Sequence, residues 1–147
     1  MVDSNLVSLK KGLSQGLWLT QSQWEIMNKE VIQQAPEEAC GLLAGKNGHV
    51  LEVFPTTNII HSPVRYRMDP QEQYQVFQHM EKHGWDLLGI YHSHPHGPSI
   101  PSPIDIKEAY YPEAVYLIWF PKGGEWTCSG YVIYDDQVEQ IPIRLEN

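Results

Sequence analysis

The sequence predicts a single α/β domain built on a mixed, partly antiparallel β-sheet that is flanked by helices. Three observations support this prediction. The chain has 147 residues, a length that suits one domain with its own hydrophobic core. Apolar residues recur at helical spacing in some segments and form short strand-like runs in others. Some of these runs are joined by tight hairpin signals and others by helices, which is typical of a mixed sheet.

The domain is predicted to span residues 1–147, with its core at about 18–145. Residues 1–17 show little periodicity, and we expect a leader or an edge strand there. The start "MVDSNLVSLKKG" lacks the apolar region of a signal peptide, and no stretch reaches the roughly 20 apolar residues that cross a bilayer. We therefore expect a cytoplasmic protein that does not bind membranes.

A first helix is predicted after residue 20. Thr20 stands three residues before Gln23, which is the spacing of a capping box. Apolar side chains then recur on one face until Pro36 ends the pattern: Trp24, Met27, Val31 and Ala35.

A β-hairpin is predicted to follow this helix. "EEACGLLAG" has the apolar character of a buried strand, and Asn47-Gly48 is a strong hairpin turn signal. "VLEVFP" is the expected partner strand. Glu37 and Glu38 stand at the mouth of this hairpin.

A second helix is predicted from Asp69, an N-capping residue, with Pro70 at its first position and Gly84 at its end. Its buried face is expected to carry three apolar side chains: Tyr74, Phe77 and Met80. "DLLGIYHSH" then forms a strand, and Ser102 with Pro103 begins a third helix. "AVYLIWF", "EWTCSGYVIYD" and "VEQIPIRL" complete the sheet, separated by Gly-Gly and Asp-Asp turns.

The charge of the chain excludes nucleic acid and anionic membranes as expected partners. The formal net charge is -8, and only Arg65 and Arg67 form a local basic pair.

The two cysteines, Cys40 and Cys128, each lie within an apolar run, and we interpret them as buried free thiols. A catalytic Cys40 would need a neighbour that stabilises its thiolate, which the sequence leaves open.

The stretch "GIYHSHPHGPSIPSPID" carries the strongest chemical signal. Side chains two residues apart on a strand share a face, so His92 and His94 can direct both imidazoles at one point. Two imidazole nitrogens and a carboxylate oxygen from Asp105 suit Zn²⁺, and three protein ligands leave one position for water. That arrangement is typical of a catalytic site, which also requires a base.

Each part of this pattern also has a simpler explanation. His-x-His pairs occur by chance at exposed strand ends, and Ser102 with Asp105 is a good helix start by itself. His96 is interpreted as solvated or as a minor contributor behind the ligands. The remaining four histidines are expected at the surface: His49, His61, His79 and His83.

The combined pattern resembles a known family. His92-Ser93-His94-Pro95, six further residues and then Ser102-Pro103-Ile104-Asp105 is similar to the H-x-H-P-x6-S-x-x-D signature of the JAMM, or MPN-plus, metallopeptidases. A glutamate before a small-residue strand, as in "PEEACGLLAG", is the second family element. The resemblance covers about residues 18–120 and implies a cytidine-deaminase-like MPN/JAB fold.

The resemblance also implies roles for individual residues. His92, His94 and Asp105 would be the zinc ligands, and Glu38 would be the general base. Ser102 would donate a hydrogen bond to the oxyanion, a role that competes with helix capping for one hydroxyl. Glu37 is expected to point to the opposite face.

The relatives implied by this resemblance cut after the Gly-Gly tail of ubiquitin-like or sulfur-carrier proteins. Residues 58–68 would correspond to a family segment that orders into a strand beside the tail. Only residues 106–114 separate Asp105 from the next strand, which favours a small stand-alone prokaryotic type of enzyme. We expect a monomer or a homodimer. Arg65 and Arg67 would contact an acidic substrate body or remain solvated.

Two other functions stay open at this point. Two histidines and a carboxylate also describe non-haem iron oxygenases, although there the carboxylate commonly follows the first histidine closely. Zinc deaminases are disfavoured because the Pro-Cys-x-x-Cys element is missing. A metal-containing module that binds ubiquitin-like tails without cutting them is the other alternative, but it has no use for a base such as Glu38.

Overall fold

The structure is a computed structural model that describes residues 15–146. Within this range the strands are β1 (Leu17–Thr20), β2 (Cys40–Lys46), β3 (His49–Thr56), β4 (Asp86–Ser93), β5 (Val115–Lys122), β6 (Glu125–Tyr134), β7 (Gln137–Ile141) and β8 (Ile143–Glu146). The helices are α1 (Gln21–Gln34), α2 (Pro70–His83) and α3 (Pro103–Lys107). What was predicted for residues 1–14 lies outside the described residues.

The strands form one mixed sheet in the order β7-β6-β5-β4-β2-β3-β1-β8. The pairs β4/β5, β1/β3 and β1/β8 are parallel, and the others are antiparallel. This confirms the predicted α/β class with a partly antiparallel sheet. Leu17 begins β1, which lies between β3 and β8. The leader or edge strand expected over residues 1–17 stays a prediction.

The sheet curls until its two edges meet at Pro142. β7 and β8 occupy opposite edges, yet this one residue separates them along the chain. The backbone N–H of Leu17 donates to the carbonyl of Pro142 at 2.9 Å. The prediction of one strand over "VEQIPIRL" is therefore wrong. Proline has no N–H with which to continue a ladder, and here the chain changes partner at that residue.

Both faces of the sheet are covered by apolar packing. α1 contributes Met27 and Val31 to a cluster with Tyr91 and Trp119, while α2 contributes Val76 and Met80 to the cluster on the other face. Successive residues of a strand point to opposite faces. The alternation along β4 therefore places Tyr91 towards α1 and directs His92 to the face that α2 covers.

The predicted helix boundaries are confirmed by their caps. Thr20 and Gln23 form both hydrogen bonds of the capping box, and Asp69 caps α2 ahead of Pro70. Ala35, predicted on the apolar face of α1, is instead its exposed C-cap. Its ψ of 138° is extended, as expected for a residue before proline.

The predicted buried face of α2 is partly wrong. Val76 and Met80 are its buried residues, Phe77 packs beside them, and Tyr74 is 57% exposed. Met80 follows Tyr74 by six positions, which at 3.6 residues per turn places them about 120° apart around the helix. Within the described residues, no helix is long and apolar enough to cross a membrane.

A buried acid lies between α1 and the sheet. The hydroxyl of Tyr91 donates to Oε2 of Glu30 at 2.7 Å. Oε1 of Glu30 is buried and has no hydrogen-bond partner among the described residues. Burial raises the pKa of Glu30 to about 7, although the hydrogen bond from Tyr91 lowers it in part. The folded protein therefore holds this proton more tightly than the unfolded chain does.

This difference makes folding stability depend on pH. The unfolded chain releases the Glu30 proton near pH 4.5 and the folded protein near pH 7, so the free energy of unfolding falls as pH rises between these values. We expect Glu30→Gln to gain stability relative to wild type across this window, by at most about 3 kcal/mol. Denaturant unfolding at several pH values measures the difference. Glu25→Gln on the same helix is the control, and a difference that stays constant with pH would contradict the assignment.

Candidate metal centre

The candidate site lies where three elements end or begin. β2 and β4 are antiparallel, with Cys40 opposite His92, so Glu38 just before β2 comes beside the end of β4. The backbone N–H of His94 donates to the carbonyl of Trp119 at 2.8 Å, which continues the β4/β5 pairing beyond Ser93. This pairing keeps the chain extended, and His94 therefore faces the same side as His92.

The predicted ligand atoms converge closely. Nε2 of His92 and Nε2 of His94 are 3.0 Å apart, and Oδ2 of Asp105 is 3.1 Å from each of them. A carboxylate oxygen of Glu38 lies within 4.8 Å of both imidazole donor atoms. His92 is 1% exposed, His94 is 5% exposed and Glu38 is 4% exposed, so the site is shielded from solvent.

This arrangement fits a divalent cation. Zinc bonds of about 2.0–2.1 Å in a tetrahedral site place neighbouring donors about 3.3 Å apart, close to the separations of 3.0 and 3.1 Å seen here. Oε1 of Glu38 is also buried without a hydrogen-bond partner among the described residues, and a carboxylate oxygen of this residue lies within 4.8 Å of both imidazole donor atoms. His92, His94 and Asp105 can therefore hold a metal ion, with Glu38 adjacent to it.

The start of α3 positions Asp105. The backbone N–H of Asp105 donates to Oγ of Ser102 at 3.1 Å, and the N–H of Ser102 donates to Oδ2 of Asp105 at 2.9 Å. The serine oxygen thus acts as an acceptor in the cap. Its own O–H remains able to donate, so capping and an oxyanion contact are compatible, contrary to the competition expected from the sequence.

The two histidines are held in different ways. Nδ1 of His94 lies 2.7 Å from the carbonyl of Pro98, so this nitrogen carries a proton, and Nε2 is the nitrogen that faces Asp105. Nδ1 of His92 is buried and has no hydrogen-bond partner among residues 15–146. The ring of His92 instead stacks on that of Tyr66, with centroids 4.7 Å apart and planes inclined by 25°.

Electrostatics separate the two carboxyl groups of the site. Burial raises the pKa of Glu38 to about 8, an effect that nearby His94 opposes and Asp105 reinforces. Burial acts in the same direction on Asp105, but its hydrogen bonds with His92 and His94 outweigh burial and hold its pKa well below the usual range. Asp105 is therefore ionised, whereas Glu38 is able to exchange a proton near neutral pH.

The histidine pKa values shift in opposite directions. Burial lowers the pKa of His92 and keeps its imidazole neutral, as a metal ligand must be. Burial also acts to lower the pKa of His94, but hydrogen bonds with Asp105 and the Pro98 carbonyl outweigh it and raise the value.

Residues 58–68, hereafter the 58–68 segment, form a closed loop in this structure, and their ordering into a strand beside a tail stays a prediction. Asn58 and Met68 make a single bridge, and the N–H of Ile59 donates to the carbonyl of Arg67 at 2.9 Å. The carboxamide of Asn58 contacts four backbone groups, those of Glu38, Ile60, Arg65 and Arg67. One buried side chain therefore bends the segment back on itself.

The backbone of Glu38 is held by this segment. Its N–H donates to the carbonyl of Ser62 at 2.8 Å, and its carbonyl accepts from Nδ2 of Asn58 at 3.0 Å. Immediately after it, the N–H of Ala39 donates to Oγ of buried Ser93 at 2.7 Å.

Three residues that support the site were not singled out from the sequence: Asn58, Ser93 and Tyr66. Two of them, Asn58 and Tyr66, lie in a segment that was singled out.

A cleft of about 580 Å³ opens beside Asp105, between the 58–68 segment and α3 with the residues that follow it. Arg65 and Arg67, the predicted substrate contacts, both line this cleft. Nη2 of Arg65 lies 3.1 Å from Oε1 of Glu108, so its charge is shared with an acid of the same chain.

The other predicted placements are mostly confirmed. Oε1 of Glu37 lies 3.0 Å from Nδ1 of His61 at the surface, outside the ligand cluster. The exposed histidines are His49, His61, His83 and His96, whereas His79 is half-buried. Cys40 is a buried free thiol, and Cys128 is free but only half-buried. Burial is the main cause that raises the pKa of Cys40 to about 12, which removes it as a catalytic nucleophile.

Comparison with known proteins decides the family. Residues 20–129 match the family described as prokaryotic homologs of the JAB domain. The chain belongs to this family. This confirms the resemblance to a small prokaryotic JAMM or MPN protein that the sequence suggested. Neither iron oxygenases nor zinc deaminases are supported by the match.

Individual relatives cover most of the chain. A desampylase from Haloferax volcanii is 39% identical over 118 residues, which are 76% of this chain and 80% of that protein. A CysO-cysteine peptidase from Mycobacterium tuberculosis is 35% identical over 113 residues, covering 75% and 77% of the two chains. The solution structure of a protein from Desulfitobacterium hafniense is similar with a TM-score of 0.79 and 37% identity, covering 88% of this chain and 92% of that one.

The ligand set predicts how zinc affinity responds to substitution. We expect Asp105→Asn to lower zinc affinity by at least about 100-fold, because the amide keeps an acceptor for the N–H of Ser102 but loses the anionic ligand. Competition with a chromogenic chelator measures the affinity. Glu37→Gln makes the same acid-to-amide change outside the cluster and should leave zinc affinity unaltered. Equal affinities for Asp105→Asn and wild type would contradict the ligand assignment.

Proposed function

We propose that this protein is a zinc-dependent peptidase that hydrolyses a peptide or isopeptide bond at the Gly-Gly tail of a ubiquitin-like or sulfur-carrier protein. The main support is the position of Glu38, a buried carboxyl group within 4.8 Å of two imidazole donor atoms. A structural metal site has no use for such a neighbour. The desampylase and the CysO-cysteine peptidase among its relatives support both the reaction and the substrate class.

Nε2 of His92, Nε2 of His94 and Oδ2 of Asp105 would hold the zinc ion. Zinc bound there would supply a Lewis acid that lowers the pKa of the nucleophilic water and polarises the scissile carbonyl. The protein contributes a site that is nearly closed to solvent, in which charges interact more strongly than they do in water.

Glu38 acts as the general base and then as the general acid. Its carboxylate accepts a proton from the attacking water and transfers it to the leaving amine. A pKa raised by burial makes this carboxylate a stronger base than a solvated glutamate, and a nearby cation favours its ionised form. The backbone contacts with Ser62 and Asn58 fix the residue that performs both transfers.

Ser102 stabilises the developing oxyanion. Its oxygen already accepts from the N–H of Asp105, so its O–H is directed by a fixed helix start and can donate to the substrate. The same cap therefore positions a metal ligand and a hydrogen-bond donor at once.

The cleft beside Asp105 suits an extended tail without side chains. Arg65 and Tyr66 line it on the side of the 58–68 segment, and Glu108 and Tyr110 line it on the side of α3. Glycine residues pass through narrow openings because they carry no Cβ. Tyr110 lines the cleft and is 71% exposed, and Val64 of the 58–68 segment is 74% exposed, which leaves apolar surface for the folded body of a substrate.

Glu38→Gln tests the proposed reaction. We expect it to lower kcat at least 100-fold, since the amide cannot take a proton, while zinc affinity stays close to that of wild type. Cleavage of a panel of Gly-Gly-tailed ubiquitin-like and sulfur-carrier fusions measures kcat. Glu37→Gln is the matched control and should cleave normally. Wild-type protein that binds zinc and the tails but cleaves none of the fusions would indicate a binding module, and Glu38→Gln with full activity would exclude Glu38 as the base.

Arg65 and Arg67 are proposed to attract an acidic substrate body and so to offset the net charge of -8. Reversing both charges with glutamate should lower kcat/KM for an acidic substrate and weaken its dependence on salt, with kcat little changed. A kcat/KM that keeps its value and its salt dependence would remove both arginines from substrate recognition. Glu108→Gln removes the ion pair with Arg65 and measures how much that pair alone changes kcat/KM.

A further inference from the structure

The two histidine ligands differ in what fixes their rings. An imidazole that binds a metal normally donates its second N–H to a carboxylate, a carbonyl or water, which sets its orientation. His94 has this support from the Pro98 carbonyl at 2.7 Å. His92 lacks it among the described residues, although its Nδ1 is buried. Among the described residues, the ring of His92 instead contacts another aromatic ring.

The ring of Tyr66 makes that contact. It lies nearly parallel to the imidazole of His92, with 4.7 Å between centroids and 25° between planes. His94 approaches the same imidazole edge-on, at 4.8 Å and 65°. We propose that Tyr66 is a positioning residue whose ring, by stacking, fixes the imidazole of His92 for metal binding. This inference rests on the proposed metal site.

The flat ring of Tyr66, rather than its hydroxyl, carries this role. Burial raises the pKa of the hydroxyl well above its ordinary value, so the group stays neutral and is not an anionic ligand. An offset stack depends on two flat faces in contact, which phenylalanine reproduces and an aliphatic side chain does not. Tyr66→Phe therefore removes the hydroxyl but keeps the ring, whereas Tyr66→Leu removes the ring itself.

Tyr66 also connects the metal ligands to the general base. It belongs to the 58–68 segment, in which Nδ2 of Asn58 donates both to the carbonyl of Arg65 and to that of Glu38. The carbonyl of Ser62, in the same segment, accepts a hydrogen bond from the N–H of Glu38. One segment therefore holds the backbone of the base and the ring of one ligand while it lines the cleft.

The test compares zinc affinities of the full chain by chelator competition. Tyr66→Phe should bind zinc like wild type, and Tyr66→Leu should bind at least about tenfold more weakly, the loss typical when support behind a ligand is removed. Tyr74→Leu, which changes an exposed tyrosine on α2, is the matched control and should bind normally. Visible absorption of the Co²⁺-loaded proteins should change for Tyr66→Leu alone, because it reports ligand geometry.

Thermal melting of the zinc-free proteins separates folding from positioning. If Tyr66→Leu does not melt cooperatively, Tyr66→Met supplies the same comparison with a side chain that packs more flexibly. A folded aliphatic variant with wild-type zinc affinity and an unchanged Co²⁺ spectrum would overturn the inference and leave the peptidase proposal standing. Weak zinc binding by that variant, with a wild type that binds zinc but cleaves nothing, would support the inference and refute the peptidase. Wild-type protein that binds no zinc would refute both.

Discussion

The three-way contact among His92, His94 and Asp105 is the constraint on which the other features depend. It requires parallel β4/β5 pairing that extends to His94 and a helix that starts at Ser102. Antiparallel β2/β4 pairing then brings Glu38 beside this contact. Two imidazoles and a carboxylate in a nearly closed site are costly to bury unless they bind a partner. Donor separations of 3.0–3.1 Å leave room for one small cation as that partner.

The sheet with α3 and the 58–68 segment supply different parts of this site. The sheet and α3 supply the ligands through regular secondary structure, which is rigid and extensively hydrogen-bonded. The segment supplies the contacts that hold Glu38 and stack on His92, and it depends on one buried carboxamide, that of Asn58. Surface loops open more readily than paired strands do. Glu38, the proposed base, is therefore held by the part of the site that is not regular secondary structure.

Sequence patterns predicted the features that depend on neighbouring residues. The caps at Thr20 and Ser102 follow from spacings of three residues, and the shared face of His92 and His94 follows from strand alternation. Asn58 and Tyr66 escaped notice because their partners lie 20 and 26 positions away, and no local pattern encodes such contacts. Pro142 did carry a local signal, since proline cannot continue a ladder, and the split between β7 and β8 was predictable.

The two acids of the site are chemically similar in sequence but distinct in their surroundings. Oδ2 of Asp105 contacts two imidazole nitrogens and accepts a backbone N–H, so its negative charge is compensated from several sides. Oε1 of Glu38 is buried without a hydrogen bond from any described residue, and its pKa rises accordingly. Environments that push two carboxyl pKa values apart assign one group to bind charge and the other to carry protons. The proposed roles, ligand for Asp105 and base for Glu38, follow from this difference and are not interchangeable.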